Sequence, residues 1–121
     1  MFLATTNKGK RLLLLSYIGH VQAEELRRAL GEASAVMADL SPGFRVLADF
    51  GKMNSMDTDT APEIGKLMED VEKRGVEMIV RVIPDRSKDI GLNILASIHY
   101  KHPVETVTCD TMEEAQKALG L

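Results

Sequence analysis

One stretch, from Val46 to Leu67, constrains this chain more than any other. It opens within a short apolar strand over Phe44 to Phe50 and passes through a polar loop. It then enters an amphipathic helix whose apolar positions Ile64, Leu67, Met68 and Val71 recur at three- and four-residue steps. Thr60-x-x-Glu63 has the spacing of a capping box, and Pro62 stands where a missing N–H costs a helix nothing. The loop gathers Ser55, Asp57, Thr58, Asp59 and Thr60 at the mouth of that helix. Helix N-termini favour negative charge, so such a loop suits an anion or a regulatory phosphate.

The rest of the chain repeats the alternation. Met1 to Thr6 predicts an edge strand, Asn7 to Lys10 a turn with Gly9 free to take positive φ, and Arg11 to Ile18 the returning strand. Leu26, Leu30, Ala33, Met37 and Leu40 share one helical face, closed by Ser41-Pro-Gly43. After Gly75 come a strand over Val76 to Ile83 and a helix capped by Asp85 or Ser87, with Ile90, Ile94, Leu95 and Ile98 facing inward. Pro103 to Cys109 predicts the last strand, and Thr111-x-x-Glu114 opens a short final helix. The order β-β-α-β-α-β-α-β-α implies a mostly parallel sheet of four to five strands, an N-terminal antiparallel hairpin and about four helices, in one domain over 1–121.

Composition narrows the function classes. The net charge is −3 with both signs mixed along the chain, there is no tryptophan, and no basic stripe is interleaved with aromatics. Nucleic acid is therefore excluded as a partner. The longest apolar run, Leu12 to Ile18, is too short for a membrane span and lacks the cleavage site of a secretory leader. The single cysteine, Cys109, leaves no internal disulfide and reads as a buried strand-end residue, so cytoplasmic residence is expected. Asp57-x-Asp59 lacks the third acid, bend glycine and later glutamate of a calcium loop, so no metal is expected. No nucleophile elbow or glycine-rich phosphate loop occurs, and His20, His99 and His102 are tied to no local motif, so neither catalysis nor a cofactor is expected.

Over nearly its whole length this order of elements resembles that of anti-sigma-factor antagonist (STAS) domains. Gly19 with the helix bearing Ala23-Glu-Glu-Leu26 is similar to their first strand-to-helix passage. Val46-Leu-Ala-Asp49 and the loop with Met56-Asp57-Thr58 resemble their central strand and phosphorylation loop, and Thr111-Met-Glu-Glu-Ala115 resembles their C-terminal end. Phosphorylatable members read roughly Asp-Ser-Ser/Thr-Gly-Leu there. Aligned on Asp57, this chain has Thr58 at the first hydroxyl and Asp59 at the phosphate acceptor, with Thr60 and Ala61 at the usual Gly and Leu. A register one residue earlier makes Thr58 the acceptor.

The resemblance implies a non-catalytic regulatory module. Its implied partner is an anti-sigma factor or serine-kinase-type regulator, bound through loop 53–61 and the helix from 62. Asp57, Thr58, Asp59 and Thr60 would form a degenerate or phosphomimetic switch, with Met53, Ser55, Met56 and Glu63 as partner-binding residues. An alternative is a small-ligand or lipid-binding protein, since diverged members of the superfamily resemble SEC14-like lipid-exchange proteins. A homodimer through the N-terminal edge strand is the third expectation.

Overall fold

The computed structural model describes every residue from Met1 to Leu121. Five strands, β1 (Phe2–Asn7), β2 (Leu12–Val21), β3 (Arg45–Met56), β4 (Met78–Val82) and β5 (Glu105–Cys109), form one sheet in sequential order β1-β2-β3-β4-β5. The β1–β2 pair is antiparallel and the other three pairings are parallel. Four helices connect or follow them: α1 (Ala23–Met37), α2 (Ala61–Lys73), α3 (Arg86–His99) and α4 (Met112–Leu119). The expected class, hairpin and helix number are all realised. No helix is long and apolar enough to cross a membrane.

Sequential order explains the layering. Each crossover from β2 to β5 steps the same way, and crossovers are right-handed, so α1, α2 and α3 fall on one face of the sheet. That face holds the larger core: Leu13, Leu15 and Tyr17 of β2 and Val46, Ala48 and Phe50 of β3 pack with Leu26, Met37, Ile64 and Leu67. The opposite face carries Leu12, Leu47, Val80, Val82 and Cys109 under α4, which contributes Ala115 and Leu119. With both faces covered there, the central strands read as continuous apolar runs.

Four local expectations are corrected. First, β2 and β3 run past their predicted ends, to Val21 and Met56, so most of the expected loop is strand and only Asp57–Thr60 turns. The extension pairs His20 with Ser55 through two register shifts, and Gly19 takes φ +65° at the second of them. Second, the left-handed residue of the β1–β2 turn is Arg11 (φ +52°) rather than Gly9. Third, α1 ends at Met37, four residues before the Ser41-Pro-Gly43 signal. Fourth, Ile90, Ile94 and Ile98 lie 63%, 57% and 68% exposed on α3 instead of facing inward.

The rotation of α3 has a charged cause. Arg81 of β4, 3% exposed, points from the sheet toward α3 and donates to Asp89 Oδ1 at 3.1 Å and Asn93 Oδ1 at 2.7 Å. Burying a guanidinium requires such partners. The stripe holding Asp89, Leu92 and Ala96 therefore turns inward, with Asn93 at its edge, and the isoleucines are carried to the outside. Asp85 caps the helix, accepting from the Ser87 N–H at 3.0 Å. At the far end Gly65 of α2 admits the His99 ring, which a Cβ there would overlap. Nδ1 of that ring reaches Glu69 Oε2 at 2.8 Å.

Candidate functional site

The carboxyl ends of β2 and β3, the Asp57–Thr60 turn and the start of α2 bring the expected site residues to one end of the sheet. In open α/β sheets ligands bind outside the carboxyl ends of the strands. Asp57 holds it together. Its Oδ2 accepts the Ala23 N–H at 3.0 Å and so caps α1, whose own N-cap residue Gln22 offers no side-chain bond. Its Oδ1 lies 2.8 Å from His20 Nε2, and His20 Nδ1 lies 2.7 Å from Ser55 Oγ. A carboxylate only accepts, so Nε2–H donates to Asp57; in the neutral ring Nδ1 then accepts from the Ser55 hydroxyl.

The Ala23 N–H, and after it the His20 hydrogen bond, hold the Asp57 carboxyl below its ordinary value. A depressed folded-state pKa contributes stability that is present above the unfolded value and lost as pH falls through the folded one. Comparing thermal melts of the wild type and Asp57→Asn across pH 2 to 7 tests this. The gap between them should be full near neutrality and close in acid; a gap independent of pH would contradict it.

The hydroxyls and acids of the turn divide sharply. Thr58 and Asp59 are exposed, and Asp59 makes no hydrogen bond or ion pair. Thr60 is 2% exposed and its hydroxyl donates to the Asp57 carbonyl at 2.8 Å. The expected capping box does not form: Thr60 has helical φ and ψ and no side-chain cap bond, because its hydroxyl turns back to the preceding turn. Glu63, 4% exposed, instead takes the Arg27 Nε–H on Oε1 at 3.3 Å. Its Oε2 lies 3.6 Å from Lys66 Nζ and has no hydrogen bond. The charged groups that reach the surface beside it are thus Arg27 and Lys66.

Met53 and Met56 lie on the extended strand rather than on a loop. They form one wall of a groove of about 520 Å³ between β3, α2 and α3, with Phe50 and Ile64 deeper in and Ile94 and Leu95 opposite. Behind it a cavity of about 40 Å³ shares Phe50, Ile64 and Leu92 and reaches Tyr17 and Tyr100. Tyr17 stacks on Phe50 with centroids 4.2 Å apart. Burial pushes the Tyr17 phenol well above its usual range and that of Tyr100 up to about 12. The Cys109 thiol is likewise pushed up by burial, away from the thiolate a reactive cysteine needs.

Sequence reasoning missed His20 and Arg81. His20 gave no local signal, because its partners stand 35 and 37 residues away and meet it only through the shifted β2–β3 register. A lone arginine inside an apolar strand, Ile79-Val-Arg-Val82, was the available sign of Arg81.

No family model matches the chain, and no curated protein matches its sequence. Solved structures do. The anti-sigma factor antagonist SpoIIAA in its unphosphorylated form superposes with a TM-score of 0.68 at 11% identity, covering 100% of both chains. The phosphorylated form of SpoIIAA, a Bacillus cell fate determinant, gives 0.64 at 13%, covering 98% of this chain and 99% of that one. An uncharacterized DUF3478-family protein of SpoIIAA-like fold from Shewanella loihica gives 0.72 at 12%, covering 98% and 92%. With one order of strands and helices matched from end to end, this chain has the SpoIIAA-like fold.

Proposed function

We propose that the chain is a non-catalytic regulatory module that binds an anti-sigma factor or serine-kinase-type regulator through residues 53–61 and the first turns of α2. The observation that carries this reading is the division within the turn. Thr58 and Asp59 project to solvent just before α2, while Thr60 is buried with its hydroxyl committed. Asp59 places a permanent negative charge near the positive end of α2, as a phosphate would. The switch is therefore degenerate: Asp59 mimics the phosphorylated state, and Thr58 is the one hydroxyl of the turn open to a kinase. Met56, half-buried, supplies the apolar part of the surface with Met53 buried behind it, Ser55 its polar edge, and Glu63 acts through Arg27 and Lys66. The likeness to SpoIIAA, solved in both phosphorylation states, supports the choice of partner.

Titration calorimetry against a serine-kinase-type anti-sigma factor of the same organism tests the reading. Asp59→Ser is expected to shift the dissociation constant about tenfold, about 1.4 kcal/mol. An unchanged constant, or no binding by the wild type, would contradict it.

A further inference from the structure

We infer that Ser55 is a nucleophilic serine that takes up one acyl group from an activated donor, a thioester or an aryl ester, with His20 as its base and Asp57 positioning His20. The inference goes beyond the partner-binding reading and does not rest on it. A single covalent acylation modifies the chain; it is not turnover.

Three observations carry it. The first is the order of the hydrogen bonds. Ser55 Oγ lies 2.7 Å from His20 Nδ1, and Asp57 Oδ1 lies 2.8 Å from Nε2 of the same ring. The carboxylate accepts only, so it keeps the ring proton on Nε2 and leaves the Nδ1 lone pair aimed at the serine hydroxyl. A serine is activated by such an arrangement, a base within hydrogen-bond reach that is itself oriented by a third group.

The second observation is rigidity. His20 and Ser55 are paired neighbours on β2 and β3, so the sheet fixes their separation. Asp57 is held from two sides: its N–H donates to the Val21 carbonyl at 3.0 Å, and its Oδ2 accepts the Ala23 N–H at 3.0 Å. Reacting groups carried on strands are placed more precisely than groups on loops.

The third is access. Ser55 is exposed and the His20 side chain is 48% exposed, so an acyl carbon can approach Oγ. His20 spends both ring nitrogens on Ser55 and Asp57, so Thr58, exposed on the adjoining turn, has no share in the base.

The surroundings also select the donor. With a carboxylate one ring away from the hydroxyl, a neutral acyl carbon is favoured over a phosphoryl group that brings its own negative charge. Ser55 lies within β3 and not on the strand-to-helix elbow that gives acyl hydrolases their oxyanion donors, so the donor must supply a good leaving group. In the step the Oγ–C bond forms and the C–S bond of a thioester breaks. The hydroxyl proton passes to Nδ1 and from there to the departing thiolate. The ester left on Ser55 has only an alkoxide to expel, a far poorer leaving group, and therefore persists.

The full chain is incubated with phenyl thioacetate, and the acetyl groups are located by peptide mass spectrometry. Ser55 is expected to acetylate about a hundredfold faster than Thr58, within the scale of general-base assistance. His20→Asn keeps a polar atom near the position of Nδ1 but no base, and should bring Ser55 down to the rate of Thr58. Asp57→Asn, measured well below its melting midpoint, should slow Ser55 at least about tenfold, because the ring is freed to its other tautomer, and leave Thr58 unchanged. Acetylation of Ser55 no faster than Thr58 in the wild type would overturn the inference, as would undiminished labelling in His20→Asn or Asp57→Asn. Rapid loss of the Ser55 acetyl once the donor is removed would overturn the single acylation and make the site a hydrolase.

Discussion

Replacing Arg81 with alanine is expected to destabilise the fold by about 3–5 kcal/mol, because it leaves a buried carboxylate without its cation. The Asp89 side chain is 15% exposed and would keep only the Thr108 hydroxyl, which donates to the same Oδ1 at 2.9 Å. The volume lost beside the internal cavity adds to the cost. A variant that removes both charges separates the terms. Arg81→Met with Asp89→Leu should recover most of the loss or exceed the wild type, since well-packed apolar groups often match a buried ion pair. Denaturant unfolding of the two singles and the double completes the cycle. Equal stability of Arg81→Ala and the wild type would mean that the pair does not hold α3.

Phe44→Ala should cost a similar amount, about 3–5 kcal/mol, for a different reason. Phe44 is fully buried just before β3 and is part of the larger core cluster. Its removal leaves a cavity that flanking strands cannot collapse into, because β3 is pinned there on both sides. The Arg45 N–H donates to the Arg11 carbonyl at 2.9 Å and the Glu77 N–H to the Phe44 carbonyl at 2.8 Å. Thermal unfolding should fall by about 10 °C or more for a domain of this size. The candidate site lies at the other end of a 12-residue strand, so partner binding well below the new midpoint should stay within twofold of the wild type. Loss of binding in the folded variant would show that the two ends of β3 are coupled.

The fold was legible because its signals are local and agree with one another. Four changes of period from two to 3.6 residues, each closed by Gly or Pro near the element ends, leave little but a sequential parallel sheet behind a hairpin. Gly75 (φ +91°) stops α2 as expected, and Thr111 caps α4 by accepting the Glu114 N–H at 3.2 Å. What failed was decided at a distance. Counting apolar residues on α3 favours the Ile90, Ile94 and Ile98 face. The buried Arg81 on another element reverses that choice, and no periodicity within the helix encodes it. The β2 and β3 ends were read short because Gly19, Gly51 and the polar Lys52-Met-Asn-Ser55 look like loop, whereas pairing between the two strands holds them extended. At the site, the acids and hydroxyls were legible as a group. Their division into exposed Thr58 and Asp59 and committed Asp57 and Thr60 depends on His20 and on the start of α1.

Hydrogen exchange of the chain with and without a serine-kinase-type regulator tests the central claim most directly. Partner binding through this site predicts new protection at the amides of residues 53–61 and the first turns of α2, shifted by Asp59→Ser, with β1 and α4 unchanged. Protection confined to the outer edge of β1, or none anywhere while the chain remains folded, would contradict it.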